Sequence, residues 1–490
     1  MKNKSAKLNY IYNLSYQILL ILLPIVTAPY VSRALLPAGV GDYSLAFSFI
    51  TYFTLLASLG FGYYAQREIA KWQDSPKEQA RVFWEVILCR LIPTAASLIL
   101  NNLLIHIGFY GDIAPLMGFL NINIIATALD IVFFFQGNEE FGKTTLINIA
   151  VKLLGVTGIF LFVKTPEDVW LYTLLNSLVL IVSNLALWPF AIARLRRAEK
   201  DSPEGERKPL RPLTHLLPSL RLFIPNIAIS LYTILDKTLI GVITQDSAQN
   251  GYYEEAEKIV KCAMTVVTAL GTVMIPRNSR EFALGNTEAV ERNVYKSTHF
   301  VFLLGIPLAA GFVLVAGNLI PWFLGAAYTE SIHLMRLFAP LVCIIGLSNV
   351  FGLQYLVPCK KDRLFTLSIL SGAVTNLVLN IPLIYFYKAT GAVIASLISE
   401  GVVTAVMLFF VRRELSFRQI FGSLWKPLLA SGIMLLVASP LEKMLSPSIL
   451  HTLLLVAVGV AVYGIVILIL RDSLAYDLLQ KLGGKLKRKK

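Results

Sequence analysis

The chain reads GYYEEAEKIVKCAMTVVTALGTVMI over residues 251–275. As an α-helix rising about 1.5 Å per residue, this stretch is long enough to cross about 30 Å of hydrocarbon. Its first half nevertheless carries charged residues, and the spacings of three and four between four of them place these four on one helical face. They are Glu254, Glu257, Lys258 and Lys261. Because a charge that faces lipid at mid-membrane costs at least about 2.5 kcal/mol, the stretch predicts a membrane-spanning helix whose charged face points into protein or a watery cavity.

Apolar segments of spanning length recur along the whole chain. We mark fourteen, each of roughly 19 to 26 residues. They cover residues 11–34, 43–65, 84–107, 114–136, 145–163, 170–192, 220–243, 252–275, 297–318, 332–357, 364–387, 391–411, 426–444 and 449–470. With 56% apolar and only 15% charged residues, the composition excludes an ordinary soluble protein. The sequence predicts an all-α, polytopic membrane protein of about fourteen transmembrane helices.

The basic residues predict the orientation. If the loops alternate between the two sides, about 34 of the 44 Lys and Arg residues fall on one side and about 6 within the spans. About 4 fall on the other side, namely Arg33, Lys164, Lys388 and Lys443. Cytoplasmic loops collect Lys and Arg, so both termini are predicted to be cytoplasmic. The net charge of +14 then reflects topology and attraction to anionic lipid headgroups, and no nucleic-acid partner is predicted.

The connections between spans predict the domain organisation. The longest connection is basic and contains Pro and Ser, which is typical of a solvated linker. We predict an N-terminal six-helix lobe over residues 1–195, a basic cytoplasmic linker over 196–219, a C-terminal six-helix lobe over 220–412, two more helices within 413–470 and an amphipathic polybasic cytoplasmic tail over 471–490. A weak repeat supports two parallel lobes, because spans two and eight open with Gly41-Asp-Tyr43 and Gly251-Tyr-Tyr253.

Motifs of soluble enzymes do not occur in the sequence. The chain lacks a Gly-x4-Gly-Lys-Ser/Thr phosphate-binding loop, and its five histidines and four cysteines have no metal-like spacing. We therefore predict no enzyme activity, no cofactor and no metal site.

Other spans also place polar residues on one helical face. Spans one and seven carry amide and hydroxyl side chains at helical spacing, and span seven adds a lysine on that face and an aspartate about 100° aside. These residues are Asn13 and Gln17 in span one, and Asn226, Ser230, Thr233, Lys237 and Asp236 in span seven. For the charged face of span eight two interpretations stay open: a Glu–Lys ladder that satisfies itself, or the lining of a cavity for a substrate or an ion.

Four further charged residues lie deep inside spans. Arg90 and Lys152 lie roughly 10 Å from the cytoplasmic ends of spans three and five. Asp130 in span four pairs with one of these cations, or else joins Glu400 of span twelve as a candidate site for a proton or Na⁺. Carboxylates bind both ions and their pKa responds to burial, and Asp236 is a third candidate for such a coupling-ion site.

A series of short motifs runs in a specific order through residues 8–412. They are Ala28-Pro-Tyr-Val-Ser-Arg33, Gly39-Val-Gly-Asp-Tyr43, Gln66-Arg-Glu-Ile-Ala70, Phe135-Gln-Gly-Asn-Glu139, Leu235-Asp-Lys237, Gly251-Tyr-Tyr-Glu-Glu-Ala-Glu-Lys-Ile259, Ile275-Pro-Arg-Asn-Ser279, Gln354-Tyr-Leu-Val-Pro358 and Asn376-Leu-Val-Leu-Asn380. Together they resemble the Wzx-type polysaccharide repeat-unit flippases of the multidrug/oligosaccharidyl-lipid/polysaccharide (MOP) exporter superfamily. The resemblance implies a MATE-like fold of two six-helix lobes with two added C-terminal helices.

The resemblance also implies a function and a site. Such a flippase moves undecaprenyl-pyrophosphate-linked oligosaccharide repeat units to the outer leaflet of the bacterial cytoplasmic membrane by alternating access, for capsule, exopolysaccharide or O-antigen synthesis. Pyrophosphate needs cations, and sugar hydroxyls match amide and hydroxyl side chains. The candidate cavity cations are Lys258, Lys261, Lys237, Arg33, Arg90 and Lys152. The candidate glycan-binding or cavity-lining residues are Asn13, Gln17, Asn226, Ser230, Thr233, Glu254 and Glu257.

The expected partners are the lipid-linked oligosaccharide and the bilayer, with a polysaccharide polymerase and chain-length machinery as candidate protein partners, and a monomer is expected. Three alternative functions stay open. A cation-coupled drug or metabolite antiporter and a lipid II flippase would share the fold. A membrane glycosyltransferase or polymerase would differ in class, and the short outer loops count against it.

Overall fold

The computed structural model describes residues 2–200, 209–477 and 479–480, with side chains described at 19, 22–197, 209–221, 223, 234–477 and 479–480. Over these ranges the chain forms helices and no strands. The predicted polybasic end of the tail, from residue 481 onward, and the linker segment 201–208 lie outside the described residues. The described helices fall into two compact units, one of Met1–Gly241 with Asp246–Gly251 and one of Val242–Gln245 with Tyr252–Lys490.

The first unit is built around the long first helix, which packs against the third, fourth and sixth helices. Its helices are α1 Lys2–Ser58, α2 Phe61–Lys71, α3 Pro76–His106, α4 Ala114–Ala128, α5 Val132–Gly137, α6 Phe141–Phe162, α7 Val169–Leu185, α8 Trp188–Lys200 and most of α9 Leu216–Thr244. Most of α9 belongs to this unit by its contacts, although the sequence assigns that segment to the C-terminal lobe; the predicted lobe boundaries remain predictions.

In the second unit the last two helices pack against α11. Its helices are α10 Ser247–Ala283, α11 Thr287–Phe323, α12 Thr329–Phe338, α13 Leu341–Phe351, α14 Asp362–Val411, α15 Phe417–Phe421, α16 Trp425–Met444 and α17 Ile449–Ile469, with a π-helical turn at Gly352–Leu356. The Arg336 guanidinium on α12 pairs with Glu442 of α16 at 3.0 Å and also donates to the Val313 carbonyl at 3.2 Å. Arg336 therefore helps to hold the added helices in place.

The helices confirm an all-α protein with many membrane spans. Within the described part of the chain, ten helices are long and apolar enough to cross a membrane, or eleven if a bent pair counts as one span. Two of them, Leu22–Lys71 and Asp362–Val411, have 50 residues each, which is about 75 Å and more than twice the hydrocarbon thickness. Non-helical backbone interrupts α1 at Leu36 and α14 at Lys388. The count of fourteen and the cytoplasmic location of the termini remain predictions.

Each unit contains an ion pair that joins two equivalent connections, the one after its fourth span and the one after its sixth span. The charge pattern of the sequence places these connections in the cytoplasm. In the first unit Arg194 pairs with Glu140, 54 residues earlier in the chain. In the second unit Lys361 pairs with Glu414, 53 residues later, and the Tyr355 hydroxyl also donates to Glu414 at 2.5 Å. The two pairs have opposite polarity but nearly equal spacing, which supports the weak repeat seen in the sequence.

The two glycines of the repeat meet at one corner of the first unit. A Cβ on Gly41 would lie 1.7 Å from the Ser247 carbonyl oxygen, and a Cβ on Gly251 would lie 2.0 Å from that of Pro37. The Ser247 hydroxyl also donates to the Asp42 carboxylate. Glycine is therefore required at both positions, because any side chain would push the two backbones apart.

We predict that Gly251→Ala lowers the apparent melting temperature of the purified protein, because the added methyl group overpacks this corner by about 1–3 kcal/mol. Gly118→Ala is the matched control, since a Cβ at Gly118 meets nothing within 4 Å. Thermal unfolding in detergent measures both variants. Equal melting temperatures for the two variants would show that the corner yields without cost.

The Lys361–Glu414 pair makes a pH-dependent contribution to stability. Burial raises the pKa of Glu414, but the hydrogen bonds from Lys361 and Tyr355 outweigh burial and hold this pKa below its ordinary value. Since the unfolded-state pKa of a glutamate is about 4.3, the contribution is present above about pH 4.3 and is lost as the pH falls through the folded-state pKa.

We expect Glu414→Gln to lower the apparent melting temperature at pH 7, and the difference from the wild-type protein to vanish on acidification. Melting curves between pH 3 and pH 7 test this expectation. Glu288→Gln serves as the control, because the Glu288 side chain is 85% exposed. A difference that stays constant down to pH 3 would mean that the ionised carboxylate contributes nothing.

Candidate functional site

The charged face of α10 forms ion pairs within the helix itself. The Lys261 ammonium lies 2.7 Å from Glu257, one turn earlier. The Lys258 ammonium lies 2.5 Å from Glu255 and 4.0 Å from Glu254. Each lysine therefore has a carboxylate partner on its own helix, as the ladder interpretation predicts. The role of these lysines as substrate-binding cations remains a prediction.

Glu255 is the member of this group that the sequence analysis missed. Glu255 follows Glu254 directly and is not part of the set of two glutamates and two lysines that the spacing of three and four residues singled out. Its side chain is 1% exposed, against 28% for Lys258 and 49% for Lys261. With Glu255 included, three carboxylates face two ammonium groups, and the α10 set carries a net charge of −1. The helix alone does not provide a cationic surface for an anionic substrate.

The other candidate residues of the second unit and of α9 are described in part. Lys237 and Glu400 are half-buried, and Asp236 is buried, with 7% exposure. Thr238 follows Asp236 by two residues, and its hydroxyl lies 2.8 Å from the Tyr52 hydroxyl of α1. Five predicted lining residues lie where side chains are outside the described part of the structure, namely Asn13, Gln17, Asn226, Ser230 and Thr233.

Arg90 has a packing role that the sequence did not predict. It is 2% exposed, and its guanidinium lies over the rings of Phe133 and Phe61, with centroid distances of 5.4 and 5.9 Å. Nη1 donates to the carbonyls of Thr127 and Asp130, at 3.2 and 2.5 Å. The guanidinium is thus engaged by the backbone and by two aromatic rings, and the assignment of Arg90 as a cavity cation remains a prediction.

The carbonyls that Arg90 binds belong to a break in span four. Between α4 and α5 the backbone leaves the helix, and carbonyls there lose their helical partners. Besides Arg90, the Trp188 indole donates to Leu129 at 3.0 Å and the Asn184 amide donates to Ala126 at 2.7 Å. In hydrocarbon an unsatisfied carbonyl costs several kcal/mol. These three side chains therefore make the break possible.

Asp130 also serves this break. Its Oδ1 accepts a hydrogen bond from the Val132 amide at 2.9 Å, at the first residue of α5. Arg90 contacts Asp130 through the backbone carbonyl, and the pairing of the Asp130 carboxylate with a cation remains a prediction. Lys152 is half-buried on α6. The assignments of Asp130, Asp236 and Glu400 to a coupling ion remain predictions.

A buried polar cluster fixes the end of the linker to the first unit. His215 lies 2.8 Å from the Glu85 carboxylate and 2.7 Å from the Tyr64 hydroxyl. The Arg211 backbone amide donates to the other Glu85 oxygen at 2.9 Å. Since a carboxylate only accepts, Nε2 of His215 donates to Glu85. No spacing in the sequence joins residues that lie so far apart in the chain.

Arg33 lies in an open cleft of about 550 Å³ between the middle of α1, close to its break at Leu36, and the C-terminal end of α6. Lys164 lines the same cleft. Both side chains are exposed. The sequence analysis proposed Arg33 as a substrate cation and treated Lys164 only as a marker of topology, so their shared cleft is a finding of the structure.

Comparison with solved structures shows which known fold this chain shares. A lipid II flippase, MurJ, in an inward closed conformation matches with a TM-score of 0.63 and 15% identity, over 93% of this chain and 99% of that chain. An inward-facing multidrug resistance MATE family transporter of the MOP superfamily matches with a TM-score of 0.62 and 14% identity, over 84% of this chain and 98% of that chain. At these identities the likeness shows the fold alone, which this chain shares with both structures.

Sequence comparison gives the family. The family model described as "Polysaccharide biosynthesis protein" matches residues 7–282, more than half of the chain, and the chain belongs to this family. A protein of Escherichia coli (strain K12) named "Putative O-antigen transporter" is 26% identical over 412 residues, covering 84% of this chain and 97% of that protein. The chain is thus a multi-pass protein of the bacterial cytoplasmic membrane, and it resembles a transporter rather than an enzyme.

We predict that Lys258→Met destabilises the protein more than Lys261→Met does. The first variant leaves the buried Glu255 carboxylate without its lysine, at a cost of about 1–3 kcal/mol. Lys261→Met instead leaves Glu257, whose side chain is 13% exposed against 1% for Glu255 and is therefore better solvated. Apparent melting temperatures measure the difference.

The double variant Lys258→Met with Glu255→Gln completes a double-mutant cycle. It should recover most of the stability lost in Lys258→Met, because it removes the uncompensated charge. Additive losses in the double variant would contradict a direct pair.

Proposed function

We propose that the chain is a flippase that moves undecaprenyl-pyrophosphate-linked oligosaccharide repeat units from the cytoplasmic to the outer leaflet by alternating access, for capsule, exopolysaccharide or O-antigen synthesis. The observation that carries the proposal is membership of the polysaccharide biosynthesis family, together with a relative named as an O-antigen transporter that aligns over 97% of its own length. A polysaccharide polymerase and chain-length proteins would take the product from the outer leaflet.

The chemistry of the chain supports this proposal. A lipid-linked glycan has an anionic diphosphate and neutral hydroxyl groups. The spans combine charged residues with amide and hydroxyl side chains at helical spacing, and these groups bind diphosphates and sugars respectively. In this proposal Lys237, Lys258 and Lys261 contact the diphosphate, and Asn13, Gln17 and Asn226 contact the glycan. The protein acts as a monomer.

One observation favours a second candidate. The α10 set, with Glu255, has three carboxylates and two lysines, and a net negative set suits a cation better than an anion. A cation-coupled antiporter on the same fold would use such a set, and buried carboxylates such as Asp236 would bind its coupling ion. Drug or metabolite efflux that depends on a proton or Na⁺ gradient would distinguish this candidate from a flippase.

Deletion of the gene tests the proposed function. We expect the deletion strain to synthesise repeat units but to retain them on the cytoplasmic leaflet, because polar glycans do not cross hydrocarbon unaided. Leaflet-specific labelling of the lipid-linked glycan, followed by mass spectrometry, gives its location and its sugars. Normal surface polymer in a deletion strain that has no paralogue would refute the proposal. Rescue of cells depleted of their own lipid II flippase would instead identify lipid II as the substrate.

Within this proposal, the variant Lys258→Ala with Lys261→Ala should abolish export while the protein still inserts into the membrane. Surface polymer and protein level are measured together. Full export by this variant would return the charged face of α10 to a purely structural role.

A further inference from the structure

The cleft that contains Arg33 and Lys164 is built as a site. It lies between α1 and the end of α6, and it encloses about 550 Å³. Its lining combines two cations, two aromatic rings and three apolar side chains. They are Arg33, Lys164, Tyr30, Phe160, Val26, Pro29 and Ala34. This lining has a charged part and an apolar part, as a binding site for an amphiphile requires.

The aromatic wall of the cleft is held in place. The Tyr30 hydroxyl lies 2.7 Å from the Val163 carbonyl and 3.0 Å from the Phe160 carbonyl, to which it donates. The Tyr30 and Phe160 rings meet edge to face, with centroids 4.8 Å apart. Behind them Val163 is fully buried in a cluster of apolar residues from α1 and α6. The cleft is therefore formed by packed helices and not by a loose loop.

The two cations at the cleft are accessible. Among the described residues no carboxylate lies within ion-pair distance of the Lys164 ammonium. The nearby Asp168 carboxylate is turned to its own loop, where Oδ2 accepts hydrogen bonds from the Lys164 and Thr165 amides, each at 2.8 Å. Glu167 is exposed in the same loop.

The apolar part of the cleft continues onto a surface suited to lipid. On α1 the side chains of Leu22 and Val26 are 51% and 58% exposed, and on α6 those of Leu161 and Phe162 are 57% and 59% exposed. Val26 precedes Arg33 by seven residues, which is about 10 Å along a helix. An apolar chain lying along Val26 would therefore bring a headgroup to the two cations.

We propose that this cleft binds the phosphate end of a polyprenyl lipid in the outer leaflet. The proposal rests on the proposed function and on the predicted topology, which places Arg33 and Lys164 at the outer surface. The guanidinium and the ammonium contact the phosphate oxygens by charge-assisted hydrogen bonds, and the isoprenoid chain packs on Val26 and Phe160. The site holds the lipid after it has crossed, before it leaves into the leaflet.

Binding to the purified full chain tests this site. Native mass spectrometry in detergent compares three probes: undecaprenyl phosphate, phosphatidylglycerol and inorganic phosphate. We expect undecaprenyl phosphate to bind the wild-type protein, and the variant Arg33→Gln with Lys164→Gln to weaken this binding by about tenfold or more, since two charge-assisted contacts are lost. Lys443→Gln is the matched control, because Lys443 is another exposed cation on the same predicted surface.

The three probes separate the sources of phosphate. Equal loss of phosphatidylglycerol and undecaprenyl phosphate in the double variant would overturn the assignment to a polyprenyl lipid, and inorganic phosphate binding as tightly as undecaprenyl phosphate would overturn the assignment to any lipid. If the double variant is folded and binds undecaprenyl phosphate as the wild-type protein does, the proposal that this cleft binds the lipid is refuted. The charge-retaining variant Arg33→Lys with Lys164→Arg should keep binding.

A further variant tests the apolar part. Val26→Asp should weaken undecaprenyl phosphate binding while leaving any binding of inorganic phosphate unchanged. Lipid binding is measured on purified protein, whereas the proposed function is tested in a deletion strain. The two tests are therefore independent, and failure of one proposal can be told apart from failure of the other.

Discussion

Every polar backbone group inside hydrocarbon must find a partner within the protein, and this constraint governs the described structure. Regular helices meet it by themselves, whereas breaks require donors from side chains. At the break in span four, Arg90, Trp188 and Asn184 donate to exposed carbonyls, and Asp130 accepts from the amide that starts α5. Residues that seemed to be available for substrate are thus needed by the backbone. The demand of the fold is met first, and only the remaining polar groups are free for function.

Charged side chains inside the spans follow the same rule, because they too need partners within the protein before they can serve a function. A lysine inside a membrane protein is tolerated when a carboxylate lies beside it, and α10 satisfies its lysines within the helix. Local pairing lets a charged helix insert without depending on another element. Under the proposed function, a diphosphate that binds these lysines has to compete with Glu255 and Glu257. Moderate affinity suits a carrier, since a site that holds its cargo too tightly cannot release it on the other side.

The sequence predicted the class of fold well and the site only in part. Hydropathy and the distribution of Lys and Arg are properties of whole segments, and they indicate membrane helices without knowledge of packing. Helical periodicity found the stripe on α10 but missed Glu255, because a buried carboxylate one position aside is visible only when its neighbour in space is known. It also could not show that Arg90 lies at a break in another helix. The clusters around His215 and Glu414 join residues distant in sequence, and no local pattern reports such contacts.

The reversed polarity of the two ion pairs explains why the internal repeat is faint in the sequence. Glu140–Arg194 and Lys361–Glu414 join equivalent connections at nearly the same chain separation, yet a residue-by-residue comparison scores acid against base as a mismatch. What the repeat preserves is an ion pair between two equivalent connections. Either polarity makes that ion pair, because the attraction depends on the product of the charges. The two units could therefore diverge in their charged residues while each kept its ion pair.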